Sequence, residues 1–423
     1  MLASLGQRTA AVASVVAVCV ICLACGQGTT GALLPTEQLE AAFAGDGFAI
    51  VGRKEYGGYR GLMGESKEAT IFRTGKGKPM LYVEGNATSY GWLTGYLARE
   101  SVEAMVGPFL ERLPLELVAK DYVMKHWNES LFVELEKVVD HLLGSVSVKL
   151  FDDAIAAGII PRSRLEEMEG VVAGASVAAA ERGTTSQVSL EKLIAINFGF
   201  DVITARVFSG HFLGSALQEL ARKLGLVQLS DDRFYERLDA VGGSTSSLFV
   251  PPAFCDAIGV RGPWTASTGE AYFGRSYQMV TGNTLQDVIT LVVYAPDDGG
   301  ATKPLVSATA PGMVGCLAGM NGDGVAMGVD TIRAPNANPK QPGLNSLLLL
   351  RSTLEVAGDL DELVSYVVDA RRGAPFLYPA CDGSGDCAVL EAGAWLPDGT
   401  PEDPLQYVER KLQKAGLVPD AAF

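Results

Sequence analysis

The amino-acid sequence predicts an α+β protein with a helical first portion and a strand-rich second one, and three observations carry that expectation. Between about residues 90 and 226 apolar residues recur at helix spacing, as in Leu115, Leu117, Val118, Tyr122 and Val123, and again in Leu131, Val133, Leu135, Val138 and Leu142. From Cys255 onward the pattern changes to short strand-like runs at about 256–261, 270–278, 288–295, 304–309 and 324–330. Two helices then follow, at about 344–357 and 359–372, before strands return at about 375–380 and 387–392, the order of a layered α+β domain.

Taken from the start, the 423-residue chain opens with one basic residue, Arg8, ahead of an apolar run from Ala10 to Cys25. That run is shorter than the roughly 20 residues a membrane span needs, and it ends in the small residues Ala24-Cys25-Gly26 that suit signal peptidase. Residues 1–26 are therefore expected to be a cleaved signal peptide. The rest is expected to divide into a mostly helical portion, 27–254, and a β-rich catalytic portion, 255–423. Residues 35–83 mix short apolar runs with Gly/Lys turns such as Thr74-Gly75-Lys76-Gly77, and Ala173 to Ala180 is a small-residue stretch suited to close helix packing. Val241 to Ser247, followed by Pro251-Pro252, reads as a loop between elements or, because it lies directly ahead of Cys255, as an exposed processing segment. Asp359 or Asp361 is the cap candidate for the second late helix.

A net charge of −15 argues against nucleic-acid binding, which needs clustered Lys and Arg to meet phosphates. No repeat, phosphate-binding loop or Cys/His cluster occurs, so neither cofactor nor metal is expected. Beyond the leader the cysteines are Cys255, Cys316, Cys381 and Cys387. Cys381 and Cys387 flank the turn sequence Asp382-Gly383-Ser384-Gly385-Asp386 and could pair across a hairpin, as cysteines do in oxidising compartments. The sequons at Asn86 and Asn128 fit a secretory route, ending outside the cell or in a lysosome-like lumen.

Cys255 is the candidate nucleophile, yet all three histidines, His126, His141 and His211, precede it. A cysteine can do without histidine if the backbone before it is cut, because the freed α-amine, with a pKa of about 7.7–8.0, then becomes the base. Taken alone, Cys255 reads rather as a small buried hydrophobe, as free cysteines usually are.

The run from Cys255-Asp256-Ala257-Ile258-Gly259 to Tyr272-Phe273-Gly274-Arg275 resembles the start of the catalytic subunit in N-terminal nucleophile (Ntn) hydrolases. It is most similar to autoproteolytic acyltransferase/hydrolases related to isopenicillin N acyltransferase, with cousins among choloylglycine hydrolases and phospholipase B-like proteins. Gly85 to Leu97, Leu165 to Gly170, Leu193 to Asn197, Ala310 to Gly315 and Gly319 to Gly324 are similar to segments of that family in the same order.

The resemblance implies an αββα sandwich and self-cleavage between Phe254 and Cys255. It further implies hydrolysis or transfer of an acyl group from a non-peptide amide through a cysteinyl thioester. Arg275 is then expected beside the nucleophile, and Asn321 in the oxyanion hole, where one such donor contributes about 2.7–4 kcal/mol. Asn321-Gly322 reads equally as turn chemistry. Two departures stand out. Ser276, Tyr277 and Gln278 follow Arg275 where relatives carry an aspartate that holds the α-amine, and Pro375 to Pro379 occupies the place of a second asparagine. The implied partner is a small-molecule or lipid acyl substrate, with the cleaved halves remaining associated. The alternatives are a phospholipase B-like lipid acyl hydrolase and a non-catalytic secreted protein that retains the fold.

Overall fold

The computed structural model describes residues 33–70, 75–208, 220–226, 228, 231–242, 248–249, 253–265, 271–279, 284–332, 337–338 and 343–394. The expected signal peptide, His211 and most of the expected processing segment lie outside these residues.

Helix α1 (Thr36–Gly45) leads into an antiparallel meander of β1 (Phe48–Tyr56), β2 (Tyr59–Thr70) and β3 (Gly77–Gly85). The β1–β2 turn is only two residues long, and Gly57 and Gly58 supply the positive φ values, 60° and 87°, that such a tight hairpin requires. Residues 35–83, expected to be apolar runs broken by turns, thus contribute a helix and three strands to the main sheet.

That sheet runs on into the second half of the chain. β3 pairs in parallel with β6 (Thr290–Pro296), Met80 opposite Leu291 through Gly85 opposite Pro296. Antiparallel neighbours β7 (Leu305–Thr309), β8 (Ala318–Asn321) and β9 (Ala326–Gly328) follow, then β11 (Phe376–Cys381), which also pairs β10 (Asp330–Thr331) and β12 (Cys387–Ala392). Among the described residues the result is a ten-stranded mixed sheet. β3 is buried continuously from Pro79 to Gly85, because both faces of this central strand are covered. Met80 and Tyr82 face Leu39 and Phe43 of α1, while Leu81 and Val83 face the large helical core.

In the helical layer, α2 (Ala87–Leu97) crosses α8 (Arg162–Glu181) at close range, between them α3 (Arg99–Ala104), α4 (Leu110–Leu117), α5 (Lys120–His126), α6 (Glu129–His141) and α7 (Ser147–Ala156). Glycines make the crossing: a Cβ on Gly91 would lie 1.9 Å from the Glu167 carbonyl oxygen, and one on Gly174 2.0 Å from that of Trp92. Helix α9 (Leu190–Ile203) runs beside them, and α10 (Asp232–Ala240) and the short α11 (Thr284–Val288) come before the late pair α12 (Ser346–Val356) and α13 (Leu360–Asp369). A buried ionic network locks α8 to α12. Arg164 Nη1 donates to Glu355 Oε1 at 3.0 Å, Arg351 Nε donates to the same oxygen at 2.8 Å, and the Arg351 guanidinium lies 3.5 Å from the Tyr294 ring centroid of β6. No helix among the described residues is long and apolar enough to cross a membrane.

Candidate active site

The antiparallel hairpin of β4 (Ala253–Val260) and β5 (Tyr272–Met279) stands apart from the large sheet and packs against β10 and β11. Strand alternation sorts its side chains. Cys255, Ala257 and Gly259 share one face with their register partners Tyr277, Arg275 and Phe273. Ile258, on the opposite face, is 62 % exposed, as is Trp264 just beyond β4.

The inner face meets the sheet at Gly328 and Asp330. Arg275 Nε and Nη2 donate to one oxygen of Asp330 at 3.2 and 3.0 Å, and the guanidinium sits 4.7 Å from the Tyr277 ring centroid. Gly328 makes this approach feasible, since a Cβ there would lie 2.5 Å from Arg275 Cδ. The Cys255 thiol also hydrogen-bonds the Asp330 carboxylate. Burial raises the Asp330 carboxyl above its ordinary range, and the opposing pull of Arg275 and Cys255 only partly offsets that. Burial likewise keeps the Tyr277 hydroxyl protonated far above its usual range, with the neighbouring Cys255 adding to the effect.

Cys255 is half-buried and outside any disulfide. Cys316 is wholly buried, and burial pushes its thiol up to about 11, so it stays protonated at neutral pH. Cys381 and Cys387 face each other in register on β11 and β12 and are bonded, with Cα atoms 4.1 Å apart.

The structure brings Cys255 and Arg275 together and places Asn321 in a different task. Both hydrogens of its amide are donated, to the Leu354 and Ala357 carbonyls at 2.9 and 2.7 Å, where they cap the end of α12. Its Oδ1 accepts from Asp323 N and Val325 N at 3.1 and 3.0 Å. The oxyanion role expected of Asn321 therefore has no N–H left to serve it, and the turn role is the one its geometry fills. Phe254 lies in β4 with its backbone opposite Gln278.

Both sequon asparagines are exposed helix caps: Asn86 Oδ1 accepts from Ser89 N at 3.1 Å and Asn128 Oδ1 from Leu131 N at 3.0 Å. A glycan attaches to the amide nitrogen, so capping by the oxygen does not compete with it.

Asp330 is the site residue that sequence reasoning missed. Its signal was a lone carboxylate ending the apolar run Val325-Ala326-Met327-Gly328-Val329, a residue that burial penalises unless it is paired. Among the described residues, no group of three His, Cys, Asp or Glu could hold a metal ion. A second buried carboxylate lies on α9. Asp201 accepts from Ser346 N and Oγ at 2.8 and 2.7 Å, and burial pushes it up to about 7 against those two bonds.

Residues 264–397, about a third of the chain, match the family model described as acyl-coenzyme A:6-aminopenicillanic acid acyl-transferase. The match begins at Trp264, downstream of Cys255, and includes Arg275, Asn321 and Asp330. An uncharacterized protein of Archaeoglobus fulgidus is 27 % identical over 323 residues, which cover 76 % of this chain and 44 % of that protein. The chain thus spans less than half the length of this relative.

Proposed function

With residues 264–397 matching an acyl-transferase family as the premise, we propose that the chain is an Ntn-type acyltransferase or amidase whose nucleophile is Cys255. The observation that carries this reading is the contact of Cys255, Arg275 and Asp330 on one face of the β4–β5 hairpin. In the proposed αββα arrangement this hairpin is the start of a second sheet layer lying on the large one.

In the precursor, Cys255 Sγ attacks the Phe254 carbonyl carbon. The C–N bond breaks as the C–S bond forms, and the thiol proton passes to the departing nitrogen. Water then hydrolyses the thioester, leaving a free α-amine on Cys255. In the mature protein that amine takes the Sγ proton, Sγ attacks the substrate amide, and the leaving amine receives the proton. Transfer of the acyl group to water or to another amine restores the thiol.

Asp330 replaces, from the sheet, the aspartate expected after Arg275. It gives the cationic α-amine a carboxylate partner and fixes Arg275 at the edge of the site. Tyr277, held protonated, is a hydrogen-bond donor beside the sulfur. The leader, the sequons and the Cys381–Cys387 bridge support a secretory route.

A second reading, a protein that keeps the fold without turnover, is favoured by one observation: both amide hydrogens of Asn321 are committed to α12. Intact mass and N-terminal sequencing of wild type and Cys255→Ala separate the two. The enzyme reading expects a fragment beginning at Cys255 in wild type and an uncut variant. Two uncut proteins leave the non-catalytic reading.

A further inference from the structure

The hairpin that carries Cys255 touches the rest of the protein at a second place, four residues along β4. A Cβ built on Gly259 would lie 2.7 Å from Cys381 Sγ and 2.8 Å from Cys387 Sγ. The strand therefore rests directly on the disulfide, and only glycine allows it. One residue past β4, Arg261 Nη1 pairs with Asp386 Oδ1 at 3.0 Å, inside the loop that the bridge closes. Gly385, with φ at 87°, leaves room for the Arg261 side chain, since a Cβ there would sit 3.0 Å from Arg261 Cδ.

That loop is itself held firmly. Asp382 Oδ1 accepts from Ser384 N, Ser384 Oγ and Asp386 N at 2.9, 2.7 and 3.1 Å, while Oδ2 accepts from Leu360 N, at the start of α13, at 3.2 Å. The catalytic strand thus has two supports: Asp330 under Cys255 and the disulfide loop under Gly259, about 13 Å apart along a strand.

We propose that the Cys381–Cys387 bridge, with Asp386, is a positioning element that seats β4 and so sets where the Cys255 sulfur lies relative to Asp330 and Arg275. This rests on the reading of Cys255 as nucleophile. Carbon and sulfur at 2.7 Å must separate by about 1 Å to reach normal contact, and a 1 Å misplacement in an active site can cost about 100-fold in rate.

The test compares full-length wild type, Gly259→Ala, the pair Cys381→Ala/Cys387→Ala, and the triple variant. Two quantities are read: the rate of cleavage before Cys255, and the pH midpoint for alkylation of Cys255 by iodoacetamide, resolved by peptide mapping. Gly259→Ala is expected to slow cleavage at least about 10-fold and to move the alkylation midpoint. The paired variant is expected to move the alkylation midpoint away from wild type, and one that leaves it unmoved overturns the proposal. The triple variant, where the sulfurs no longer oppose the new methyl, is expected to return to within about 3-fold of the paired variant. A Gly259→Ala protein that behaves as wild type, or a triple variant no better than Gly259→Ala, overturns the proposal.

Should Gly259→Ala not fold, the wild type is treated with a trialkylphosphine. The phosphine donates two electrons to the S–S bond, becomes its oxide with oxygen from water, and leaves two protonated thiols. A protein confirmed by mass as reduced, with an unmoved Cys255 midpoint, also overturns the proposal. If wild type does not cleave, it is the nucleophile reading that fails, and the alkylation midpoints alone still decide this inference.

Discussion

At Asp330 one carboxylate serves two neighbours, and this makes it the most informative single residue to change. Asp330→Asn keeps the size and one hydrogen-bonding oxygen but leaves the Arg275 cation, 4 % exposed, without its counter-charge. Breaking one partner of such a buried pair costs about 3–5 kcal/mol, and the partial exposure of Asp330 places the expected loss at the lower end. Urea denaturation should show that loss, and the cleavage rate before Cys255 should fall with it. Asn321→Ala makes the opposite separation. It strips two donors from the end of α12 and one acceptor from the following turn, so a loss of roughly 3 kcal/mol is expected from groups left unsatisfied. The turnover of the molecules that remain folded should be unchanged. A fall of about 100-fold or more in kcat with stability intact would instead restore the oxyanion role to Asn321.

At the scale of elements, the α2–α8 crossing and the α9–α12 junction make separate demands. Gly91→Ala would drive a methyl into the Glu167 carbonyl at 1.9 Å, and the helices must part for it. Overpacking of this kind costs about 3 kcal/mol or more where only backbone can yield, and thermal unfolding of the variant should show it as a lowered Tm. Asp201 joins α9 to the start of α12 and gives the junction a pH dependence. Its carboxyl titrates at about 7 in the folded chain against a reference of 3.8. The folded state therefore holds the proton more tightly than the unfolded chain does, and stability falls as pH rises between about 4 and 7, with no further loss above. Asp201→Asn is expected to change little at pH 4 and to be the more stable form at pH 8, a crossing that denaturation at the two pH values would reveal. Glu355 works in the other direction: burial alone would raise it, but Arg164 and Arg351 overcome this and hold it down at about 2. Its contribution is fully present above the reference value of 4.5 and is lost progressively as pH falls from there towards about 2.

These elements also show what could be read in advance. The runs at about 270–278 and 387–392 became β5 and β12, and the helix at about 344–357 became α12, because local periodicity follows each element's buried face. β8 (Ala318–Asn321) was not among the expected strands, since a glycine such as Gly319 weakens the local strand pattern. In the sheet it is instead the residue whose missing side chain lets the Leu354 side chain and the Val306 carbonyl approach, with a Cβ there only 2.8 Å from each. The sequence motif pointed to Cys255 and Arg275, which lie on adjacent strands of one hairpin and share one of its faces. Asp330 reaches Arg275 from 55 residues away, and nothing local marks a contact made by a neighbouring layer.

Over the whole molecule, the proposed cut at Cys255 falls in the chain but not in its packing. β1 to β3 lie before it and β6 onward after it, yet β3 and β6 are hydrogen-bonded along six residue pairs at the centre of one sheet. Buried polar links cross the same cut, among them Arg164 to Glu355, Asp201 to Ser346, and Asn197, whose Nδ2 donates to the Gly312 carbonyl at 2.7 Å and whose Oδ1 accepts from Val314 N at 2.8 Å. Such groups cannot be separated without exposing the central strand and leaving charges unpaired, whereas hydrolysing one peptide bond at the edge of a hairpin removes none of them. Cleaved protein is therefore expected to elute from size exclusion as one species containing both fragments. The fragments should separate only at a denaturant concentration that also unfolds the uncut Cys255→Ala form, within the small shift that a broken chain entails. Fragments that part under native conditions would mean that the shared sheet is not what holds the two portions together.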